Sequence, residues 1–99
     1  MRIIAFSVNA NKKLQNLIDY LEIEFPFKTK EKFILNFDKI IYLIQNSPET
    51  FPKSTINSSL RRCVLSKQTT IYYKFNSKQI RILSIFDTRQ NPLKIKKIQ

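Results

Sequence analysis

The sequence is most informative in the residue types that it lacks. Among 99 residues there is no histidine and no glycine, and cysteine occurs once. The absence of histidine excludes histidine-dependent triads and most catalytic metal sites, because imidazole is their usual base or ligand. The absence of glycine excludes the glycine-rich loops that hold nucleotide phosphates. Cys63 alone forms no internal disulfide or thiolate zinc site, so we expect it in the core, with neither a metal nor a cofactor in the protein.

Long apolar segments are also missing. No apolar run approaches the roughly 18 residues that cross a membrane. Residues 1–13 lack the apolar stretch and the small-residue cleavage site of a signal peptide. We therefore expect a cytoplasmic protein without a membrane partner. The length predicts one domain over residues 1–99, with a basic tail over residues 90–99.

Acidic residues are few and unevenly placed. The chain has 18 Lys and Arg residues against 7 Asp and Glu residues, a formal net charge of +11. Residues 1–50 carry seven basic and six acidic residues, whereas residues 51–99 carry eleven basic residues and a single acid, Asp87. Such one-sided charge is typical of proteins with a polyanionic partner, such as nucleic acid, an acidic protein segment or an anionic membrane surface. A lysine-rich tail also improves solubility, so the charge alone leaves the partner open.

The spacing of apolar residues predicts two helices in the first half of the chain. The first is expected to be capped by Asn9 or Asn11 and to end by Phe25, because the proline that follows disfavours helical geometry before it. The second is expected to be capped by Thr29 and to end at Asn46. Its apolar residues recur at helical spacing over three turns, which is the strongest structural signal in the sequence.

Strands are predicted before and after these helices. Residues 46–59 have the composition of a loop, and the apolar period then changes to two. With the β-branched N-terminal segment, the predicted strands are residues 2–8, 60–66, 69–76 and 79–87. The order β-α-α-β-β-β predicts an α+β fold with an antiparallel sheet packed against an N-terminal helical hairpin.

Adjacent strand residues point to opposite faces of a sheet, which sorts the candidate site residues. Only one of Tyr72 and Tyr73 is therefore free to stack on a base. Unless a bulge intervenes in the last strand, Arg81 is expected to face away from Ile82 and to share a face with Ile85. Because arginine pairs with phosphate and tyrosine stacks on bases, this half of the chain favours a nucleic-acid or phosphate surface.

Two arginine-bearing segments admit two interpretations each. Arg61 and Arg62 open a strand, either as one solvated and one carboxylate-paired arginine or as a pair that faces a target. Asp87 and Arg89 follow the last strand. Either Asp87 caps local N–H groups in an Asx-type turn and pairs with Arg89, or Arg89 contacts the target.

Three segments resemble the RelE/ParE superfamily of type II toxin–antitoxin toxins. They are the helix motif NKKLQNLIDYLE, the strand pair LRRCVLSKQTTIYYKF and the closing segment IRILSIFDTRQNP, which is the most specific of the three. The resemblance covers Ile3 to about Pro92. It implies a small basic toxin, growth inhibition, a role in plasmid stabilisation, and a cognate antitoxin that folds over the helices and the sheet as it binds.

The resemblance leaves two targets open. RelE-like members cleave mRNA on the ribosome with basic residues on the second and third strands, an arginine after the last strand and a tyrosine in the tail. Arg61 and Arg89 match two of these positions. Thr70 and Ile95 occupy the other two, so two expected catalytic side chains are missing. The ParE-like members, which inhibit DNA gyrase without cutting nucleic acid, are therefore the better match.

Each target implies its own roles for the basic residues. In the ParE-like hypothesis no residue makes or breaks a bond, and the face that docks on gyrase or gyrase-bound DNA is formed by Arg61, Arg62, Arg81, Arg89, Lys94, Lys96 and Lys97. In the RelE-like alternative, which has the ribosome and mRNA as partners, Arg61 and Arg89 hold the scissile phosphate and Lys53 or Lys67 carries the proton. A general nucleic-acid-binding domain is a third alternative, and it would lose affinity steeply with salt.

Overall fold

Two helices and four strands make up most of residues 2–90, the part of the chain that the computed structural model describes. The helices are α1 (Val8–Glu24) and α2 (Phe27–Asn46). The strands are β1 (Ile3–Phe6), β2 (Arg61–Val64), β3 (Thr69–Phe75) and β4 (Gln79–Asp87). Single 3₁₀ turns lie at Pro48–Thr50 and Thr88–Gln90. Neither α1 nor α2 is long and apolar enough to pass through a membrane.

The start of α1 is fixed by Ser7. Its hydroxyl oxygen accepts a hydrogen bond of 3.0 Å from the Ala10 amide, one of the free N–H groups of the first turn. The same hydroxyl donates to the Leu83 carbonyl at 3.1 Å, which ties the helix start to β4. The prediction that Asn9 or Asn11 caps this helix is wrong, because both lie inside it.

The start of α2 also differs from the prediction. Only Phe25 and Pro26 separate the two helices, and the Pro26 φ of −58° already suits entry into a helix. Thr29 therefore lies inside α2 rather than at its cap, and its amide donates to the Pro26 carbonyl at 2.9 Å. The predicted ends of the two helices, by Phe25 and at Asn46, are confirmed.

The strands form one mixed sheet in the order β1-β4-β3-β2. β2, β3 and β4 are antiparallel neighbours joined by short turns, as predicted. β1 pairs in parallel with residues 79–82 of β4, so the sheet is not antiparallel throughout. The α+β class and the β-α-α-β-β-β order are confirmed.

Both helices pack on one face of this sheet, here called the inner face. Leu17 and Leu21 of α1 and Phe33, Phe37 and Ile44 of α2 share one cluster with the buried strand residues. The strand residues in that cluster are Cys63, Ile71, Tyr73, Ile80, Ile82 and Ile85. The expectation that the single cysteine belongs to the core is therefore confirmed.

A β-bulge interrupts β4. The register against β3 shifts there, and Leu83 is left between the paired residues Ile82 and Ser84. The extra residue reverses the alternation, so Ile85 is buried on the same face as Ile82. The expectation for a strand without a bulge, that Ile85 shares a face with Arg81, is therefore wrong. Arg81 itself is exposed and faces away from the core, as predicted.

Candidate target-binding site

The face of the sheet opposite the helices, here called the outer face, carries exposed cations. Arg62 of β2, Lys74 of β3 and Arg81 of β4 are exposed and alternate with buried inner-face residues. Asp87 is the sole acidic residue of the four strands, and it is buried on the inner face. The strands therefore give the outer face three positive charges and no negative charge.

Two aromatic side chains lie on the same face as these cations. Tyr72 is half-buried and is the cross-strand partner of Arg62, and Phe86 of β4 is 38% exposed. Tyr73 points to the inner face, is fully buried and donates its hydroxyl proton to the Pro48 carbonyl at 2.6 Å. This confirms that only one of the two tyrosines is available for stacking. Guanidinium, ammonium and ring groups thus lie together, the combination that contacts phosphates and unpaired bases.

Lys74 and Arg81 are direct cross-strand partners. Residues so placed have Cβ atoms about 4.5–5.5 Å apart, and like charges there destabilise a sheet. Repulsion between the two side chains lowers the stability of the sheet, and no ion pair within residues 2–90 offsets it. Unfavourable interactions of this kind are characteristic of functional sites. The pair therefore makes the outer face a candidate surface for binding an anion.

Arg61 and Arg62 are adjacent in the chain but face opposite sides of the sheet. Arg61 donates to the Phe51 carbonyl at 2.8 Å and to the Glu49 carbonyl at 3.3 Å. Its guanidinium lies over the Phe75 ring, 5.6 Å from the centroid. Arg61 thus fastens the segment before β2, and the structure does not bring it together with the outer-face cations.

Arg2 is a second guanidinium on the same ring, and sequence reasoning missed it. It lies 5.5 Å from the Phe75 centroid, and its Nε donates to the Asn76 carbonyl at 2.8 Å. Its main-chain carbonyl accepts a hydrogen bond of 2.6 Å from the Gln45 amide group. No local sequence signal marks these contacts, because they join the residue before β1 to α2 and to the end of β3.

Asp87 holds Arg89 in a two-point ion pair. The Arg89 Nε and Nη2 donate to the two carboxylate oxygens at 2.9 and 2.8 Å. The carboxylate also accepts from the Arg89 amide at 2.9 Å and from the Thr69 hydroxyl at 2.6 Å. The guanidinium lies over the Phe25 ring at 5.7 Å from its centroid. This is the Asx-type turn with an ion pair that the sequence allowed as one of two interpretations.

The hydrogen bonds of this pair set its protonation. Burial by itself would raise the pKa of the Asp87 carboxyl, but the hydrogen bonds from Arg89 and Thr69 outweigh it and hold the pKa below the ordinary value of 3.8. The hydrogen bond to Asp87 raises the pKa of the Arg89 guanidinium. Both groups are therefore charged at neutral pH.

Arg61 and Arg89 lie at opposite ends of the inner face. Arg61 pairs across the strands with Tyr73, whereas Asp87 pairs with Thr69. The two partners are four residues apart on β3, which corresponds to about 13 Å along the strand. The RelE-like alternative expects Arg61 and Arg89 to hold one phosphate together. The structure does not bring these two arginines close enough to do so.

The remaining predicted residues are dispersed. Lys53 forms an isolated bridge beside Arg61 and is exposed, and Lys67 is exposed in the turn between β2 and β3. Thr70, at the position where the resemblance implies a basic residue, is half-buried on the outer face. Four tail positions lie outside the described residues: Lys94, Ile95, Lys96 and Lys97.

Cys63 is fully buried and has the environment of a structural cysteine. Burial raises the pKa of its thiol to about 11. The thiolate, which is the reactive form, is therefore scarce at neutral pH. Cys63 packs as a small apolar residue in the core cluster.

The structure resembles solved proteins of type II toxin–antitoxin systems. A chain from the chromosomal ParDE toxin–antitoxin system of P. aeruginosa superposes with a TM-score of 0.72 at 15% identity, over 88% of this chain and 96% of the other. A chain of the E. coli DinJ–YafQ complex gives a TM-score of 0.62 at 14% identity, over 90% and 96% of the two chains. A YoeB/ParE toxin from Agrobacterium tumefaciens gives 0.61 at 6% identity, over 88% and 98%.

Similarity is found in structure rather than in sequence. No family model and no curated protein matches the chain. At 6–15% identity the structural neighbours establish the fold alone. At that level the resemblance inferred from the sequence is confirmed, because the ParE, YoeB and YafQ neighbours share this arrangement of two helices on a mixed sheet. The chain therefore has the fold of the RelE/ParE superfamily toxins.

Proposed function

We propose that this chain is the toxin of a type II toxin–antitoxin system and that it inhibits DNA gyrase in a ParE-like manner. The observation that carries the proposal is the outer face, where Arg62, Lys74 and Arg81 lie together without an acidic residue from the strands. The fold shared with toxin–antitoxin neighbours supports the toxin class. The net charge of +11 supports an anionic target.

Inhibition on this hypothesis is a docking event. The outer-face cations attract gyrase-bound DNA or an acidic surface of gyrase, and each arginine binds phosphate or carboxylate through two parallel hydrogen bonds. Tyr72 adds a ring face beside Arg62. Arg89 and the tail residues Lys94, Lys96 and Lys97 remain proposed further contacts. No bond is made or broken, which agrees with the missing histidine and the unreactive thiol.

A cognate antitoxin is the second proposed partner. α2 exposes Leu35, Tyr42 and Leu43 at 57%, 60% and 52%. Clustered apolar residues on a solvent-facing helix mark interaction surfaces. An acidic antitoxin segment would also complement the net charge of the toxin. We expect co-expression of such a partner to restore growth, and a Tyr42→Glu variant to escape that rescue while Tyr42→Phe does not.

One observation favours a second candidate, a RelE-like mRNA interferase. The cations Arg62, Lys74 and Arg81 share the outer face with Tyr72. Lysine, arginine and tyrosine suffice for the transfer of an RNA phosphate to the neighbouring 2′-hydroxyl. One group takes the 2′-hydroxyl proton as the new P–O bond forms, cations stabilise the pentavalent phosphate, and another group protonates the 5′-oxygen as its bond to phosphorus breaks. On this candidate the chemistry takes place on the outer face, and Arg61 acts structurally.

The deciding experiment is induction of the free protein in a bacterial host, with labelled thymidine and leucine incorporation followed over the first minutes. Gyrase inhibition stops thymidine incorporation first, while leucine incorporation continues. Early collapse of leucine incorporation selects the interferase instead. If the folded protein accumulates and neither incorporation changes, the toxin proposal is overturned.

Variants locate the active surface in the same assay. Arg62→Ala combined with Arg81→Ala is expected to abolish growth inhibition, because it removes two of the three outer-face cations. Lys39→Ala, an exposed lysine of α2, is the matched control and is expected to remain toxic. If the two variants are equally toxic at equal levels of folded protein, the outer face is not the target-binding surface.

A further inference from the structure

A cavity lies on the helix side of the sheet, away from the outer face. It has a volume of about 330 Å³ and lies between α2, the turn that joins β2 to β3, and the segment after β4. Its polar lining comes from all three: Thr29, Lys32, Asn36, Ser66, Gln68 and Arg89. The volume is near the lower end of the range of ligand pockets, about 300–1,000 Å³.

The charged groups of this lining are both positive. Lys32 is exposed and forms no ion pair within residues 2–90. Arg89 contributes its guanidinium, and no aspartate or glutamate lines the cavity. The ion pair with Asp87 compensates part of the positive charge of Arg89. The uncompensated positive charge of the cavity is therefore that of Lys32. The cavity therefore favours an anion.

The Arg89 guanidinium is held ready for such a ligand. Asp87 occupies its Nε and one N–H of Nη2, and the Phe25 ring covers one face. The remaining N–H groups point away from the carboxylate, because the five donors of a guanidinium form a rigid planar fork. A group fixed before binding loses little conformational entropy on binding.

We propose that this cavity binds the phosphoryl group of a phosphate monoester, with Arg89 and Lys32 as its charged contacts. The hydroxyl of Thr29 and the amide of Asn36 supply neutral hydrogen bonds from the same side of α2. Asp87 is a positioning residue, since it acts through Arg89. Phe33 and Leu65 complete the lining and provide apolar surface for the organic part of the monoester. The proposal shares Arg89 with the gyrase proposal, but the outer-face cations take no part in it, so the Arg62 and Lys32 variants distinguish the two.

Amide NMR titration of the intact protein tests the proposal. The ligands are inorganic phosphate, a 5′-mononucleotide and a short single-stranded oligonucleotide that ends in a 5′-phosphate, each at constant ionic strength, with chloride as reference. We expect saturable shifts confined to the turn between β2 and β3, the residues around Arg89 and the first turns of α2. Binding of phosphate and mononucleotide identifies a free metabolite as the ligand. Binding of the oligonucleotide alone, at the same residues, identifies nucleic acid as the source of the phosphoryl group.

Matched variants distinguish binding at this cavity from nonspecific attraction of anions to a basic protein. Lys32→Ala is expected to weaken binding at least about tenfold, the loss of one charge-assisted contact. Lys39→Ala, seven residues further along α2 and outside the lining, is expected to bind like the wild type. Equal weakening by both variants, or shifts spread over all lysine-bearing surfaces, overturns the proposal.

A second pair of variants distinguishes a loss of phosphate binding from a loss of folding or of toxicity. Arg89→Lys retains the charge and loses the fork, so we expect weaker binding in a protein whose melting temperature shows that it is folded. Arg62→Ala leaves the cavity intact and is expected to keep phosphate binding while it loses toxicity. Wild-type binding by Arg89→Lys, or loss of binding in Arg62→Ala, contradicts the assignment whatever the outcome for gyrase.

Discussion

The two faces of the sheet treat their arginines differently. On the inner face, Arg61 is bound to main-chain carbonyls, and Arg89 is bound to the Asp87 carboxylate. On the outer face, Arg62 and Arg81 are exposed, and neither forms an ion pair within residues 2–90. Residues of one type, a few positions apart, therefore serve the fold on one side and remain available to a partner on the other.

Because their surroundings differ, the two sets of arginines should differ in how much they contribute to stability and to binding. A cation whose donors are satisfied inside the protein costs free energy of unfolding when it is removed, because its partners lose their hydrogen bonds. A solvated cation is worth little to stability. Substitutions on the inner face should therefore destabilise the protein, whereas substitutions on the outer face should change binding and leave stability nearly constant.

The largest expected effect is that of Asp87→Ala. It leaves the half-buried Arg89 guanidinium and the buried Thr69 hydroxyl without their carboxylate, and we expect a loss of about 3 kcal/mol in the free energy of unfolding. Denaturant unfolding followed by circular dichroism measures it. Asp38→Ala, at an exposed position of α2, is the control and should stay within about 0.5 kcal/mol of the wild type. Equal losses would show that the ion pair contributes nothing.

Arg61→Ala compares the two faces at adjacent positions. It removes two hydrogen bonds to the segment before β2 and the contact with Phe75, so we expect a loss of about 2 kcal/mol. Arg62→Ala is its matched control and should change the free energy of unfolding by less than about 0.5 kcal/mol. The same denaturant experiment serves both, and a reversed order would contradict the assignment of the faces.

Acid should lower the free energy of unfolding by protonating Asp87. Its pKa lies below the ordinary value of 3.8 in the folded state, so the unfolded chain takes up the proton more readily. The stabilisation is complete above that ordinary value and is lost as the pH falls through the lower pKa of the folded state. Below about pH 4 the wild type should therefore lose free energy of unfolding more steeply than Asp87→Asn. Parallel pH curves for the two proteins would refute this.

The smallest expected effect is a gain. Lys74→Gln removes the like-charge pair with Arg81, and we expect the free energy of unfolding to rise by about 0.3 kcal/mol while growth inhibition weakens. Lys39→Gln, at an exposed position of α2, should alter neither quantity. A variant that is both more stable and fully toxic would show that Lys74 is dispensable to the target.

Sequence reasoning succeeded where the signal is local. The order of elements follows from helical and strand periods that can be read within a few turns, and alternation placed Arg81 on the outer face. A bulge in the last strand was left open by the sequence, but its presence and its position at Leu83 required the structure, because a register shift depends on which residues of two strands face each other. The partners of Arg61 escaped it for a similar reason, since the Phe51 and Glu49 carbonyls belong to a segment without periodic pattern.

The candidate sites show the same limit. The ion pair of Asp87 with Arg89 was visible as an alternative because the residues are two positions apart. The place of Lys32 beside Arg89 was not, because it depends on how α2 packs over the turn between β2 and β3. Distances between arginines on different strands likewise required the register of the sheet.

The parallel pairing of β1 with β4 has a consequence for the order of folding. β4 has β1 on one side and β3 on the other, and Ile3 pairs with Gln79. During synthesis the helical hairpin can form early, because its contacts are local. The sheet, however, lacks β4, one of its two central strands, until residues 79–87 have left the ribosome. The nascent chain therefore completes its core in one late step, and the charged outer face comes into existence only then.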